Sequence, residues 1–403
     1  MTKFAIGIDL GGSHITAALV DQNGHIKARK KISFSKAPNG KAGIRLIAQL
    51  VNQVIRYPQS LRVRHSSFVI RHSVRGLGLA CPGSVDAERG LVLADSPNLI
   101  GWKGTKVKQE LEKALKIPVF IDNDANLAAW GEKCWGAGKG AKNLICLTLG
   151  TGVGGGIIID NKIYRGSHFY AAEIGHMSVN PHTNHHNKTS YYQMEKECVG
   201  RKIDYTDLPQ HQWNWCEGEH LIGVGVNPNG PLCSCGQAGH LEALVSGPAI
   251  VARYASYTLK VYPERSRRAP RSKFTLSPSP VILNAVKNLR INSANVLHAK
   301  AIFDMARKGD KIAQEVVNQT VYYLGIACAS LINIFDPEMV VIGGGVANAG
   351  EILFKPLRQV VKASIMKHPY RKPLIVRAKL GEDAGLLGAA ALVFSHMQRG
   401  VGR

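Results

Sequence analysis

The chain has 403 residues, 45% hydrophobic and 20% charged, which is enough for two domains with a core each and excludes an intrinsically disordered protein. No apolar run approaches the roughly 20 residues a membrane helix needs, so no membrane partner is expected. The net charge of +23 invites a nucleic-acid reading, but much of it gathers in two stretches. Lys260, Arg265, Arg267, Arg268, Arg271, Lys273, Lys287, Arg290 and Lys300 face only Glu264, and Arg62, Arg64, Arg71 and Arg75 have no acid among them. Neither stretch has interleaved aromatics or a helix-turn-helix pattern, so both read as basic loops without a specific nucleic-acid partner.

Met1-Thr2-Lys3 leads straight into Phe4 with no signal peptide, and the expected compartment is the cytosol. Phe4–Leu10, Thr16–Asp21 and Ile26–Ile32 read as strands, with bends at Gly11-Gly12 and Gln22-Asn23-Gly24. Residues 41–55 have helical spacing, with Ile44, Ile47, Ala48, Val51 and Ile55 on one face. A strand over Val74–Ala80 ends at Cys81-Pro82-Gly83, and Lys106–Leu115 is an amphipathic helix. Ile117–Ile121 reads as a strand running into Asp122-Asn123-Asp124, and Ala125–Trp135 as a helix.

The second half opens as the first does. Residues 6–21 align without a gap on residues 145–160, each copy being strand, glycine turn, strand and closing aspartate. Two copies predict two related lobes facing each other. Three stretches break the rhythm, at about 59–74, 182–222 and 262–292, and read as insertions. The division expected is an N-terminal lobe over 1–122 and a C-terminal lobe over 123–403.

Gly150-Thr151-Gly152-Val153-Gly154-Gly155 satisfies a dinucleotide-binding spacing, but Gly156-Ile157-Ile158-Ile159 continues it as a strand and not as the helix such a site requires. No P-loop pattern occurs either. A glycine hairpin can still hold phosphate through converging backbone amides. The matched turns Gly11-Gly12-Ser13 and Gly150-Thr151-Gly152 could grip a nucleoside polyphosphate from two sides, with Gly343-Gly344-Gly345 as a third close approach. Asp122-Asn123-Asp124 lies between a strand and a helix. There Asp124 could cap the helix or take a proton from a hydroxyl that Asn123 orients. His176, Cys233, Cys235 and His240 offer two imidazoles and two thiols, a tetrahedral set suited to structural Zn²⁺.

Taken together, these motifs resemble the ROK family of repressors and sugar kinases. The resemblance is carried by Asp9-Leu-Gly-Gly-Ser13, Pro97-Asn-Leu-Ile-Gly-Trp102, Asp122-Asn-Asp-Ala125, Leu149-Gly-Thr-Gly-Val-Gly-Gly155, Glu173-Ile-Gly-His176, the cysteine cluster and Asp383-Ala-Gly-Leu-Leu-Gly388. It implies an α/β fold of two ribonuclease H-like lobes, actin/hexokinase type, facing across a nucleotide and sugar cleft, with the last helix packing back on the N-terminal lobe. It implies ATP-dependent phosphorylation of a hexose hydroxyl, glucose to glucose 6-phosphate first, with N-acetylmannosamine, N-acetylglucosamine, fructose and allose as alternatives.

Asp124 would be the general base, and Asn98, Asn123, Glu173, His176 and Glu242 would contact the sugar. Asp9, Gly11, Gly12, Ser13, His14, Gly150, Thr151, Gly152, Gly343 and Gly344 would face ATP, with Asp9 near Mg²⁺. His176 would serve twice, one ring nitrogen on zinc and the other towards the sugar. His240 stands where the family has a third clustered cysteine. The family's repressors carry a winged helix ahead of the first lobe. None precedes Phe4, so a kinase is expected over a repressor, with an insertion-damaged inactive relative as a further alternative. Homodimers or homotetramers are expected by the same resemblance.

Overall fold

The computed structural model describes residues 2–33, 39–56, 73–96, 99–179, 231–261, 297–369 and 371–399. The expected insertions at 182–222 and 262–292, and Asn98, lie outside these residues. So does the stretch from 59, except its last two positions: Ser73 is described and Val74 opens a strand.

Strands β1 (Phe4–Leu10), β2 (His14–Asp21) and β3 (Ile26–Ser33) form an antiparallel meander. β4 (Val74–Cys81) then pairs parallel to β1. A small ribbon of β5 (Val85–Asp86) and β6 (Leu91–Val92) precedes β7 (Val119–Asn123), which pairs parallel to β4. The strand order is β3-β2-β1-β4-β7. In the second sheet β8 (Leu144–Leu149), β9 (Val153–Ile159) and β10 (Lys162–Ile163) form the meander. β11 (Met339–Gly343) and β12 (Leu374–Arg377) add in parallel, giving β10-β9-β8-β11-β12, the same order again. The duplication read from residues 6–21 and 145–160 therefore extends to whole sheets.

One detail departs from the gapless alignment. Leu10 pairs with Ile15, whereas Leu149 pairs with Val153, so the second hairpin turns one residue sooner. A second departure concerns β7, which runs to Asn123 rather than stopping at Ile121. Its partner β4 continues to Cys81 and pairs with Asn123, so Asp122 and Asn123 are ladder residues. The strand starts late because Pro118 has no amide to give, and its carbonyl accepts from Leu77.

Helices α1 (Gly40–Arg56) and α2 (Val107–Leu115) cover one face of the first sheet. α1 buries Ile44, Ile47, Leu50, Val51, Val54 and Ile55, the apolar stripe its spacing predicts. Strand alternation sends Ile6 and Ile8 to this face, and Ala5 and Gly7 to the other. On the second sheet α4 (Glu242–Val245), α5 (Gly247–Val261), α6 (Ala299–Arg307), α7 (Lys311–Phe335) and α8 (Glu351–Ser364) build the larger core around Leu147, Phe303, Leu324 and Phe354.

Two helices lie between the sheets, and each packs on the sheet it does not follow. α3 (Asp124–Trp135) leaves β7 of the first sheet and lies on β8 and β9 of the second. α9 (Ala384–Arg399) comes after β12 of the second and lies on β1 and β4 of the first. Glycines permit the close approach. A Cβ on Gly7 or Gly78 would overlap the Leu386 or Ala389 carbonyl of α9, and one on Gly388 would overlap the Leu127 carbonyl of α3. The core between the sheets, Leu127, Ala129, Trp130, Leu144, Cys146, Ala389 and Leu392, belongs to both halves.

Candidate active site

The parallel ladder sets Asp9 beside Ala80 and Ala80 beside Asp122, in one row at the carboxyl ends of β1, β4 and β7. Strand ends of this kind are where an α/β fold offers a crevice. α3 begins two residues after Asp122, and Asn123 caps it, its side-chain oxygen accepting from the amides of Ala125 (2.9 Å) and Asn126 (3.1 Å). The Asn123 amide group donates to the Gly83 carbonyl at 3.0 Å, so the cap is itself anchored. Asp124 is thus fixed at the positive end of a helix.

The two aspartates of this motif are not alike. Asp122, 1% exposed, is held by Arg165 through Nε at 2.7 Å and through a terminal nitrogen at 2.6 Å, and by the Asn126 amide at 3.1 Å. Its charge is neutralised inside the protein. Asp124 is half-buried and accepts from the Ala125 amide at 2.8 Å. Burial pushes its carboxyl up to about 6, and the negative charges of Asp9 and Glu173 add to the rise against the pull of the Ala125 amide. A carboxylate poised near neutrality is suited to accept a hydroxyl proton.

Asp9 stands close by. A Cβ on Gly385, in the first turn of α9, would lie 3.7 Å from Asp9 Oδ1 and 3.9 Å from the Asp124 carbonyl oxygen. Burial raises the Asp9 carboxyl above its ordinary value, with His14, Lys31 and Arg29 opposing. His14 Nε2 is 3.8 Å from Asp9 Oδ2, and its Nδ1 is 3.2 Å from Ser13 Oγ. The first glycine turn closes through the Gly11 amide on the His14 carbonyl. An acid raised by burial and near a second acid fits a divalent cation, which would relieve both.

The second turn closes through the Gly150 amide on the Gly152 carbonyl, while the Gly150 carbonyl accepts from Gly247 at the start of α5. The amides of Thr151 and Gly152 take no part in these bonds. Gly344, with φ +82°, lies against Leu149, so the third glycine cluster adjoins the second. Among the described residues nothing lies within 4 Å of where a Cβ would sit on Gly150 or Gly345. This open backbone lets a phosphate or ribose come near, as a nucleotide requires.

Glu173 and His176 lie on the 3₁₀ turn Ile174–His176 and its flank, with His176 Nδ1 3.1 Å from Glu173 Oε2. His176 comes beside His240 because residues 177–179 and 239–241 zip together: Leu241 donates to Met177, Val179 to Gly239, and Ser178 bridges to His240. The donor atoms of His176, Cys233, Cys235 and His240 lie within 4.8 Å of one another. Tetrahedral zinc separates its donors by roughly 3.5 Å, so a small contraction would close the set. Cys233 is buried, and burial pushes its thiol up to about 11, with Glu242 adding to the rise. A thiolate here needs a cation, and the donor set fits one. Since Nδ1 of His176 faces Glu173, Nε2 is the nitrogen left for a metal.

Glu242 opens α4 and accepts from the Val153 amide at 3.0 Å, Ser234 Oγ at 2.6 Å and Cys233 Sγ at 3.4 Å. Burial would raise its carboxyl, but these hydrogen bonds outweigh that and hold it below the ordinary value.

Two contributors escaped sequence reading. Arg165 sits 43 positions from Asp122 in a loop after β10, and nothing local singles it out. Asp95 accepts the amides of Gly101, Trp102 and Lys103 and so shapes the loop after Leu99, an acid among polar residues that only a turn analysis would flag. Trp102 itself is fully buried against α1, where a Cβ on Gly43 would overlap its ring, so it reports on the N-terminal core.

A model of the ROK family matches residues 5–396. The glucokinase of Thermotoga maritima is 33% identical over 389 residues, 96% of either chain. A ROK family glucokinase from Streptomyces griseus, solved with glucose and AMPPNP, superposes with a TM-score of 0.64 at 30% identity, covering 97% of this chain and 99% of that one. The xylose repressor of Caldicellulosiruptor bescii is 26% identical over 97% of this chain and 78% of its own length.

Proposed function

Because this chain belongs to the ROK family, we propose that it is an ATP-dependent hexose kinase that carries glucose to glucose 6-phosphate. The observation that carries the mechanism is the contrast at the start of α3. Asp122 is neutralised by Arg165, whereas Asp124 has no cation paired with it among the described residues and is poised near 6. Asp124 is the base that takes the proton from the attacking hydroxyl. Asn98, Asn123, Glu173 and His176 orient the sugar. Glu242 has one acceptor site left for a hydroxyl after three hydrogen bonds.

ATP lies between the two glycine turns, against Gly343 and Gly344, with His14 at the first turn. Magnesium, when bound beside Asp9, offsets the polyphosphate charge. Zinc, when bound by His176, Cys233, Cys235 and His240, fixes the wall that carries Glu173 and Glu242. The lobes divide near residue 122.

Among the described residues no helix is long and apolar enough to cross a membrane. We further propose a cytoplasmic location for the enzyme. A homodimer or homotetramer is the expected assembly, to be checked by light scattering.

The deciding experiment is an ADP-release assay over a hexose panel, with glucose expected to give the highest kcat/KM. Equal or higher turnover of N-acetylmannosamine, N-acetylglucosamine, fructose or allose would reassign the substrate. The likeness to a xylose repressor favours a second reading, a sugar sensor without catalysis. Saturable sugar binding with no ADP release from any hexose would establish that reading instead.

A further inference from the structure

Glu242 belongs to two neighbourhoods at once. Its Oε2 accepts the Val153 amide at 3.0 Å, and a Cβ on Gly152 would lie 2.5 Å from the same oxygen. Its Oε1 accepts from Ser234 Oγ and Cys233 Sγ, in the loop that supplies Cys233, Cys235 and His240 to the metal-ligand set. Eighty-nine positions separate Glu242 from Val153, so the carboxylate is a bolt between the cysteine loop and the turn Gly150–Gly152. On its other side the turn is held by the Gly247 amide on the Gly150 carbonyl.

We propose that Glu242 is a positioning residue for the nucleotide, coupling the state of the His176, Cys233, Cys235 and His240 cluster to the phosphate-gripping turn, so that cluster metal and ATP bind with positive linkage. This rests on the kinase reading above. The physical basis is ordering. A three-residue glycine turn has many conformations, and a ligand that must select one loses affinity in proportion. Glu242 selects it beforehand only while the cysteine loop holds Oε1 in place. Metal binding takes the Cys233 proton to solvent and removes that donor, but it fixes the loop and leaves Ser234 as the standing donor to Oε1. Loss of metal frees the loop, Glu242 and the turn in succession. The device acts through the turn and needs no sugar, which separates it from any contact Glu242 makes with a hydroxyl.

The test is calorimetric titration of AMPPNP with Mg²⁺ into the full chain, without sugar. The forms compared are zinc-loaded wild type, wild type stripped by a chelator and dialysed back into Mg²⁺, Glu242→Gln loaded and stripped, and Ser234→Ala. The glutamine side chain of the Glu242→Gln variant keeps the size but can accept at only one atom. We expect AMPPNP affinity to fall about tenfold on stripping and about tenfold in Glu242→Gln, with less than twofold further loss when that variant is stripped. Zinc should restore the wild type and not the variant. Ser234→Ala, which leaves the Val153 contact in place, should lose about threefold and guards against a misfolded Glu242 variant, as does an unchanged circular dichroism spectrum. Glu242→Gln binding AMPPNP as wild type does, or losses from stripping and substitution that multiply independently, would overturn the coupling. Wild type that takes up no AMPPNP in either form would overturn the kinase reading, and the coupling with it.

Discussion

The two hairpins at the heads of the two sheets make an instructive pair. In the first, β1 ends with Asp9, and the turn from Gly11 to His14 closes on a single backbone bond with an imidazole leaning towards the acid. In the second, Thr148 takes the place of Asp9 in the alignment, the turn is one residue tighter, and it is bolted by Glu242 and Gly247. The acids Asp9, Asp122 and Asp124 all come from the first half, while the clamps on the backbone come from the second. On the proposed kinase reading, a duplicated scaffold divides into a half that supplies the base and a half whose braced turn would hold phosphate. The exchange of α3 and α9 brings the halves together at one spot, next to Gly385 and Asp124.

The sharpest way to break this division is Asp124→Asn. Turnover should fall by about 10²–10⁴ with nucleotide binding retained, and a variant keeping a tenth of wild-type activity would remove Asp124 from the role. In the wild type the acid limb of kcat/KM should have its midpoint near the raised value of about 6, not near the ordinary 3.8. The sign for stability is opposite to that for activity. A carboxylate whose folded pKa is raised weighs against the fold once ionised, a penalty that begins above the ordinary 3.8 and is complete above about 6. Asp124→Asn should therefore melt a few degrees higher than wild type at pH 7.5, and the gap should narrow as the pH falls towards 5.

Next in size is Arg165→Met, which strands the Asp122 charge in a site 1% exposed. Breaking such a pair on one side costs about 3–5 kcal/mol, read by urea unfolding. The double replacement with Asp122→Leu should recover much of the loss. A single variant as stable as wild type would mean that the tie across the lobes is dispensable.

Coupling between sugar and nucleotide is a subtler measure. If charge and cradle close on one another, glucose and AMPPNP should strengthen each other's binding reciprocally, by about 1–3 kcal/mol in paired titrations. Equal glucose affinity with and without AMPPNP would argue for a rigid site. The smallest effect expected is on Asn123→Ala, which removes the cap of α3 and should cost about 1 kcal/mol of stability and a modest share of kcat.

Much of this molecule was legible beforehand. The first meander, the hairpin of β8 and β9, the spacing of α1, the glycine turns and the repeat of residues 6–21 at 145–160 come from period, steric freedom and hydrophobic pattern within a few residues, which any reader of the chain can apply. The candidate acids and metal donors were legible as residue types for the same reason: a side chain carries its chemistry wherever it lies.

What only the tertiary structure decided is which of those groups are free. Asp122 and Asp124 look equivalent in the chain, and it is Arg165, 43 positions from Asp122, that takes one out of use. The hairpin register, the crossing of α3 and α9 on their glycines, and the meeting of His176 with His240 likewise depend on contacts between distant segments. A local pattern records the preferences of neighbours in the chain. Burial, charge pairing and the pKa shifts they cause belong to neighbours in space, and those exist only once the two sheets and the two exchanged helices have packed.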